Sequence, residues 1–138
     1  MNPAVQSWLE AFLDQAGGVA GTVHVHEHGG LRLAAARNIP EKVREVVAWV
    51  PNGKGMAGLA LQRGEPVQTC NLQEDRSGAV KPGAKAVDAR AAVALPVRDV
   101  TGWIVAVVGV AFADDREIGK EELQRLLASS ASVARIPR

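Results

Sequence analysis

An α+β fold built on a five-stranded antiparallel sheet is what this sequence predicts, on three observations. Residues 91–98 alternate, with Ala91, Val93, Leu95 and Val97 on one face and Ala92, Ala94, Pro96 and Arg98 on the other, which is the period of a strand. Residues 103–113, WIVAVVGVAFA, are apolar almost without a break. A strand of that kind is covered on both faces and belongs in the middle of a sheet. Asp99-Val100-Thr101-Gly102 joins the two, with an aspartate to bond its own backbone and a glycine free to take positive φ. Helical patterns stand before, between and after the strands, which makes a layered α+β arrangement.

In chain order, Asn2 caps a first helix that opens on Pro3, where the missing N–H costs nothing. Val5, Trp8, Leu9, Phe12, Leu13 and Ala16 recur at spacings of three and four along it, one apolar stripe, and Gly17-Gly18 stops it. Residues 19–28 form the first strand. Gly29-Gly30 is read as a two-residue hairpin turn, and 31–36 return antiparallel. That turn pairs His26 with Leu33 and His24 with Ala35. Pro40 opens a second helix with Val43, Val46 and Val47 on one side, ended by Pro51-Asn52-Gly53. A short helix runs from Gly55 to Gln62 and stops at Gly64, and 66–70 are a short strand. Residues 71–90 are long and polar, with Gly78, Pro82 and Gly83 among them. A connection of that length in a compact domain marks a lid or a binding loop more often than a linker. The last helix carries Leu123, Leu126, Leu127, Ala131 and Ala134 in register and ends before Pro137.

The 138 residues suit a single domain, 1–138, large enough to bury a core without disulfide or metal. Sixteen basic residues against fifteen acidic ones give a net charge of +1, so no overall field draws the protein to nucleic acid. One cysteine excludes an internal disulfide and fits a reducing compartment. The N-terminus lacks the basic-then-apolar pattern of a signal peptide, and 103–113 are too short to span a bilayer. The expectation is a cytoplasmic protein without membrane or nucleic-acid partners.

Three stretches resemble the GAF domain family, and together they cover nearly the whole chain. Pro51-Asn52-Gly53-Lys54-Gly55-Met56-Ala57-Gly58, followed by Arg63-Gly64-Glu65-Pro66-Val67, is similar to the family's glycine-marked helix start and its "tGepv" approach to a strand. Ala94-Leu95-Pro96-Val97 and Val108-Gly109-Val110 resemble its central hairpin. Glu121-Glu122-Leu123 through Leu126-Leu127 resembles its closing helix. The resemblance implies a GAF-like, PAS-like sheet with the terminal helices on one face and a ligand pocket on the other. It further implies a non-catalytic sensory or regulatory role in signal transduction, with no cofactor.

Against that background the candidate residues divide. Gly53-x-Gly55-x-x-Gly58 matches the dinucleotide fingerprint in form, but a helical pattern and Pro51 precede it where a strand is required, so it is read as a tight turn feeding a helix. His24, His26 and His28 alternate and share one face; they are expected to be bonded locally and not to hold metal. Cys70 has no second cysteine to resolve it and is read as a buried, inert thiol. Bilin-binding GAF domains attach their chromophore through a cysteine beside a histidine, and Cys70-Asn71 lacks that neighbour. Cyclic-nucleotide-binding members carry an Asn-Lys pair, which this chain lacks, although Phe112 and Asp114-Asp115-Arg116-Glu117 echo the end of their signature. In the free methionine-(R)-sulfoxide reductases, stand-alone GAF proteins, the cysteine positions fall here on Val47, Ala57 and near Lys85, and an acidic residue near Ala92. None is retained, and thiol chemistry has no sulfur to use.

A ligand is therefore expected between the sheet and the 70–90 loop, touching His24, His26, Trp49, Met56, Cys70, Arg76, Lys85 and Arg90. Small residues at 34–36 and 91–92 leave room for it. Trp49 and Met56 could instead plug the pocket, which would make the domain a pure interaction module. Finally, one sheet face can cover only one side of each terminal helix. Apolar positions at the stripe edges, Val5 and Val133, would stay wet, and a homodimer through these helices is expected.

Overall fold

A computed structural model describes residues 1–69, 90–114 and 116–137. A helix, α1 (Pro3–Ala16), leads into strands β1 (Ala20–Glu27) and β2 (Gly30–Arg37). Helix α2 (Glu41–Val46), strand β3 (Trp49–Pro51), helix α3 (Gly55–Arg63) and strand β4 (Val67–Thr69) follow. Strands β5 (Ala91–Arg98) and β6 (Ile104–Phe112), helix α4 (Lys120–Ser130) and a 3₁₀ turn (Ala131–Arg135) complete the order. The sheet has six strands in the order β3-β2-β1-β6-β5-β4, with every pairing antiparallel.

The apolar run places β6 between β1 and β5, as its two-sided hydrophobicity requires. The turn before it is built as read: Asp99 Oδ1 accepts from Thr101 N at 2.8 Å and Trp103 N at 3.2 Å, and Gly102 takes φ +89°. Pro96 sits in β5 beyond the reach of β4, which pairs only with Ala92–Ala94, so a residue without an N–H has no neighbouring strand to serve on that side.

The sheet separates two environments. On one face Val5, Leu9, Phe12 and Leu13 of α1 join Leu126 and Val133 against Val23, Val25, Val93, Leu95, Val108, Val110 and Phe112. Trp8 stacks on Phe12 at 4.9 Å and donates from Nε1 to Ser132 Oγ at 2.9 Å, which fastens the first helix to the end of the chain. Val5 and Val133 are 2% and 5% exposed, not wet. The apolar stripes turn mainly toward the sheet, while Trp8, Leu123, Leu127 and Ala134 stay partly exposed along their outer edges. Gln6, which the stripe leaves outside, exchanges two hydrogen bonds with the Ala36 backbone (2.8 and 3.1 Å) and continues the edge of β2 where β3 stops.

Three elements differ from the sequence reading. The sixth strand, β3, arises where the second helix was extended to Pro51; α2 ends at Val46, Val47 and Ala48 turn the chain, and Trp49–Pro51 run extended, as β-branched and aromatic residues favour. The hairpin turn is His28-Gly29, not Gly29-Gly30: both take positive φ, +52° and +77°, as a type I′ turn needs. Gly30 is used elsewhere, since a Cβ there would come within 2.3 Å of the Trp49 ring. The register moves with the turn. His26 pairs with Leu31 and His24 with Leu33, and a bulge at Ala34 puts Val23 opposite Ala35.

The strand β3 also supplies the strand that the glycine fingerprint seemed to lack. Gly58 lets α3 lie close to it, as a Cβ would meet Pro51 O at 2.6 Å. The strands on either side of α3, however, are opposite edges of an antiparallel sheet, so this is no dinucleotide-binding βαβ unit.

Candidate functional site

The face away from α1 and α4 holds a cavity of about 510 Å³. Its floor is the middle of the sheet: Gly21, Thr22 and His24 of β1, Gly109 and Ala111 of β6, Ala92 and Ala94 of β5. The cause is the alternation within the central strands. Val93, Leu95, Val108, Val110 and Phe112 fill the helix-covered face, whereas glycine and alanine stand at the intervening positions. Large residues on one side and small ones on the other leave a hollow. Its walls are Ile39, Val43, Val46 and Val47 around α2, Val50 and Pro51 of β3, and Lys54, Gly55, Met56 and Ala57 at the start of α3. The lining is apolar apart from Thr22, His24 and Lys54, the composition of small-molecule sites.

Of the expected ligand residues, His24, Trp49 and Met56 lie in this lining. His26 and Arg90 do not, and Cys70, Arg76 and Lys85 lie outside the described residues. His26 is engaged at the rim of the sheet: Nδ1 donates to Ile104 O at 2.7 Å, and its ring stacks on Trp103 at 5.2 Å. His28 belongs to the turn. Among the described residues no three His, Cys, Asp or Glu side chains gather around a common point. Room comes from Ala92 but not from Ala34, Ala35 or Ala91, which face the helices. Missed in the sequence were the α2 valines and the floor of Gly21, Gly109, Ala111 and Ala94. For Ala94, Gly109 and Ala111 the signal, small residues alternating with large ones across the central hairpin, was present in the strand pattern itself; Gly21 and the α2 valines lie outside that hairpin, and the bare Cα of Gly21 faces Leu13 of α1.

His24 is the one titratable group in the cavity that is buried, at 3% exposure. Its Nε2 donates to Val47 O at 2.8 Å and so ties β1 to the residue that ends α2. Burial pushes its pKa below the usual 6.5, and the bond to Val47 only partly opposes this. The unfolded chain therefore takes up a proton near the usual value, while the folded chain does so only at lower pH. Stability is full above that value and falls as pH drops through the window beneath it. Urea titrations between pH 7.5 and 5 are expected to show a slope up to about 1.4 kcal/mol per pH unit steeper for the wild type than for His24→Gln. Parallel slopes would show that His24 is not buried in its neutral form.

Comparisons with known proteins agree with this architecture. A family model described as "GAF domain" matches residues 4–136. No match is found among curated proteins. Among solved structures, the type II free methionine-R-sulfoxide reductase from Thermoplasma acidophilum superposes with a TM-score of 0.69 at 17% identity, covering 91% of this chain and 83% of its own. A domain from Sinorhizobium meliloti 1021, assigned to a two-component sensor histidine kinase, gives 0.70 at 13% identity, covering 96% and 87%. NreA from Staphylococcus aureus, mutated in its nitrate-binding site, gives 0.70 at 17%, covering 91% and 99%. At these identities the likeness establishes the fold alone. No helix among the described residues is long and apolar enough to cross a membrane. With the family model spanning nearly its whole length, the chain belongs to the GAF domain family.

Proposed function

We propose that this GAF domain is a non-catalytic sensory or regulatory module that holds a small, mostly apolar molecule in the cavity between the sheet and the α2–β3–α3 segment. The observation that carries the reading is the hollow itself, an apolar space of about 510 Å³ over a floor of glycine and alanine. A pure interaction module would fill that space with its own side chains, the alternative for which Trp49 and Met56 were the candidates. The Trp49 ring instead lies over Gly30 and is 44% exposed. Membership in a family commonly used for sensing points the same way. Native mass spectrometry of protein purified from its own host is expected to show a mass in excess of the polypeptide that is released on denaturation. Its consistent absence, with no stabilisation by any member of a small-molecule library, would sink the reading.

The reductase fold among the similar structures sets the enzymatic alternative. Val47 and Ala57, where the resemblance places two of its cysteines, both line the cavity. Neither can attack a sulfoxide, and a chain with one cysteine has no second sulfur to resolve an intermediate. No reduction of free methionine-(R)-sulfoxide above background is expected with dithiothreitol or thioredoxin as reductant. Turnover that disappears in Cys70→Ser would show the assignment as non-catalytic to be wrong.

A further inference from the structure

The floor of the cavity carries a hydroxyl that the fold does not use. Thr22 of β1 pairs with Gly109 of β6, and a Cβ on Gly109 would stand 2.8 Å from Thr22 Oγ1. Val108 and Val110, on either side of Gly109, belong to the helix-covered core. The missing Cβ therefore points to the cavity side, and the hydroxyl that leans over it lies on that side too. Thr22 is half-buried, and none of the described residues bonds to its Oγ1. Among the described side chains only Nδ1 of His24 both lacks a partner and is sealed from solvent, so the Thr22 oxygen stays accessible. Its neighbours on the floor, Gly109, Ala111, Ala92 and Ala94, are apolar. A valine would take the same volume and suit a strand equally well. The hydroxyl thus adds nothing to the packing, and in apolar surroundings an unbonded hydroxyl is costly.

We propose that Thr22 anchors the molecule held in this cavity, its hydroxyl bonding a single oxygen or nitrogen atom carried on an otherwise apolar body. The inference rests on the cavity being the ligand site. A threonine hydroxyl donates one hydrogen bond and accepts others, so the ligand's polar atom serves in either sense. Phenols, alcohols, ketones and amides with an apolar body fit. A plain hydrocarbon leaves the hydroxyl unbonded. Phosphates and other multiply charged groups need several donors together, whereas around Thr22 the floor offers only glycine and alanine. Lys54, the charged side chain of the lining, belongs to the exposed start of α3 and not to the floor. The polar atom would thus sit over Gly109, with the apolar body against Ile39, Met56 and the α2 valines.

The experiment uses the full chain and a matched pair of probes, 2-naphthol and 2-methylnaphthalene, which share a shape and differ in a hydroxyl against a methyl group. Affinities of both are measured by calorimetry in the wild type, Thr22→Val and Thr22→Ser, so that hydrophobic differences between the probes cancel in the ratio. The ratio of 2-naphthol to 2-methylnaphthalene affinity is expected to fall about tenfold in Thr22→Val, the order of one hydrogen bond, and to be kept in Thr22→Ser. Without ligand, Thr22→Val should unfold in urea no earlier than the wild type, because it surrenders no hydrogen bond within the fold. In the wild type, nuclear Overhauser contacts should join the Thr22 methyl group to the naphthol ring hydrogens that flank the oxygen. An affinity ratio unchanged in Thr22→Val, or contacts only to the far ring, overturns the anchor while leaving the cavity as a binding site. A Thr22→Val chain that is destabilised or unfolded also overturns it, since the hydroxyl would then serve the fold. Failure of the wild type to bind either probe up to its solubility counts against the apolar ligand site and the anchor together.

Discussion

Phe112→Ala is expected to cost about 3–5 kcal/mol, a large part of what holds a domain of this size together. The side chain is fully buried, at 0% exposure, and is the largest that is. It ends the central strand β6, opposite Ala91 of β5, so its partner across the ladder is too small to collapse into the space it would vacate. The helix-side core closes around it through Leu126, Val133 and Ile118. Above the ring sits the guanidinium of Arg116, 4.3 Å from the centroid, which is held by Asp114 at 2.8 Å and Glu122 at 3.5 Å. Truncation therefore removes the burial of an aromatic ring, leaves a cavity, and strips the cation of its π face. Arg116→Ala isolates the last contribution, and at this partly exposed position it should cost about 0.5–1 kcal/mol. Urea unfolding with an unchanged m-value is the measurement. A loss below about 1 kcal/mol for Phe112→Ala would mean that this end of β6 is not part of the core.

Most of the scaffold was legible because its signals are local. Asn2 as a cap is an example: its Oδ1 accepts from Ala4 N and Val5 N at 3.0 and 3.2 Å, as a side chain before Pro3 should. Gly64 closes α3 where it was expected to, donating its N–H to Ala60 O at 2.9 Å. What the sequence concealed depends on long-range partners. Glycines 29 and 30 are equivalent as turn formers until Trp49, nineteen positions beyond the second of them, claims the bare Cα of Gly30. His28 then takes the left-handed position that a glycine would have held more easily. In the same way Trp49 and Val50 read as a continued helix because the spacing of the apolar residues from Val43 on fits both periods. Tertiary pairing with β2 decides in favour of a strand.

The site was legible in outline and not in membership. The alternation of small and large residues along 91–98 and 103–113 already separates a filled face from a hollow one. Which other residues surround the hollow depends on how 39–57 cross over it. His24 was singled out as one of three equivalent histidines. The hairpin register distinguishes them, placing His24 over the cavity, His26 against Trp103 and His28 in the turn.

Ala92→Phe is expected to weaken binding of an apolar aromatic probe such as 2-naphthol in the cavity by about a hundredfold or more, without unfolding the protein. Ala92 is in the middle of β5, opposite Ala111 of β6 and Thr69 of β4, and it borders the cavity with Ile39, Met56 and Ala111. It is half-buried, so a larger side chain there extends into space that already exists. An aromatic residue suits a strand. Its ring gains apolar contact with Met56 and Ile39, and this offsets the ordering of the side chain, so stability should stay within about 1 kcal/mol of the wild type or rise. The space the ring takes is the space a naphthalene needs, and a probe that must compete with a covalently attached ring loses. The control is on the same strand with its side chain on the opposite face. Leu95 is fully buried in the helix-side core, and Leu95→Phe should overpack it at a cost of about 1–3 kcal/mol while leaving 2-naphthol binding unchanged in the folded fraction. The pair thus dissociates stability from binding along one strand, according to which face each residue presents. If Ala92→Phe still binds 2-naphthol with wild-type affinity, the probe sits elsewhere; if it unfolds, the hollow is not free to be filled.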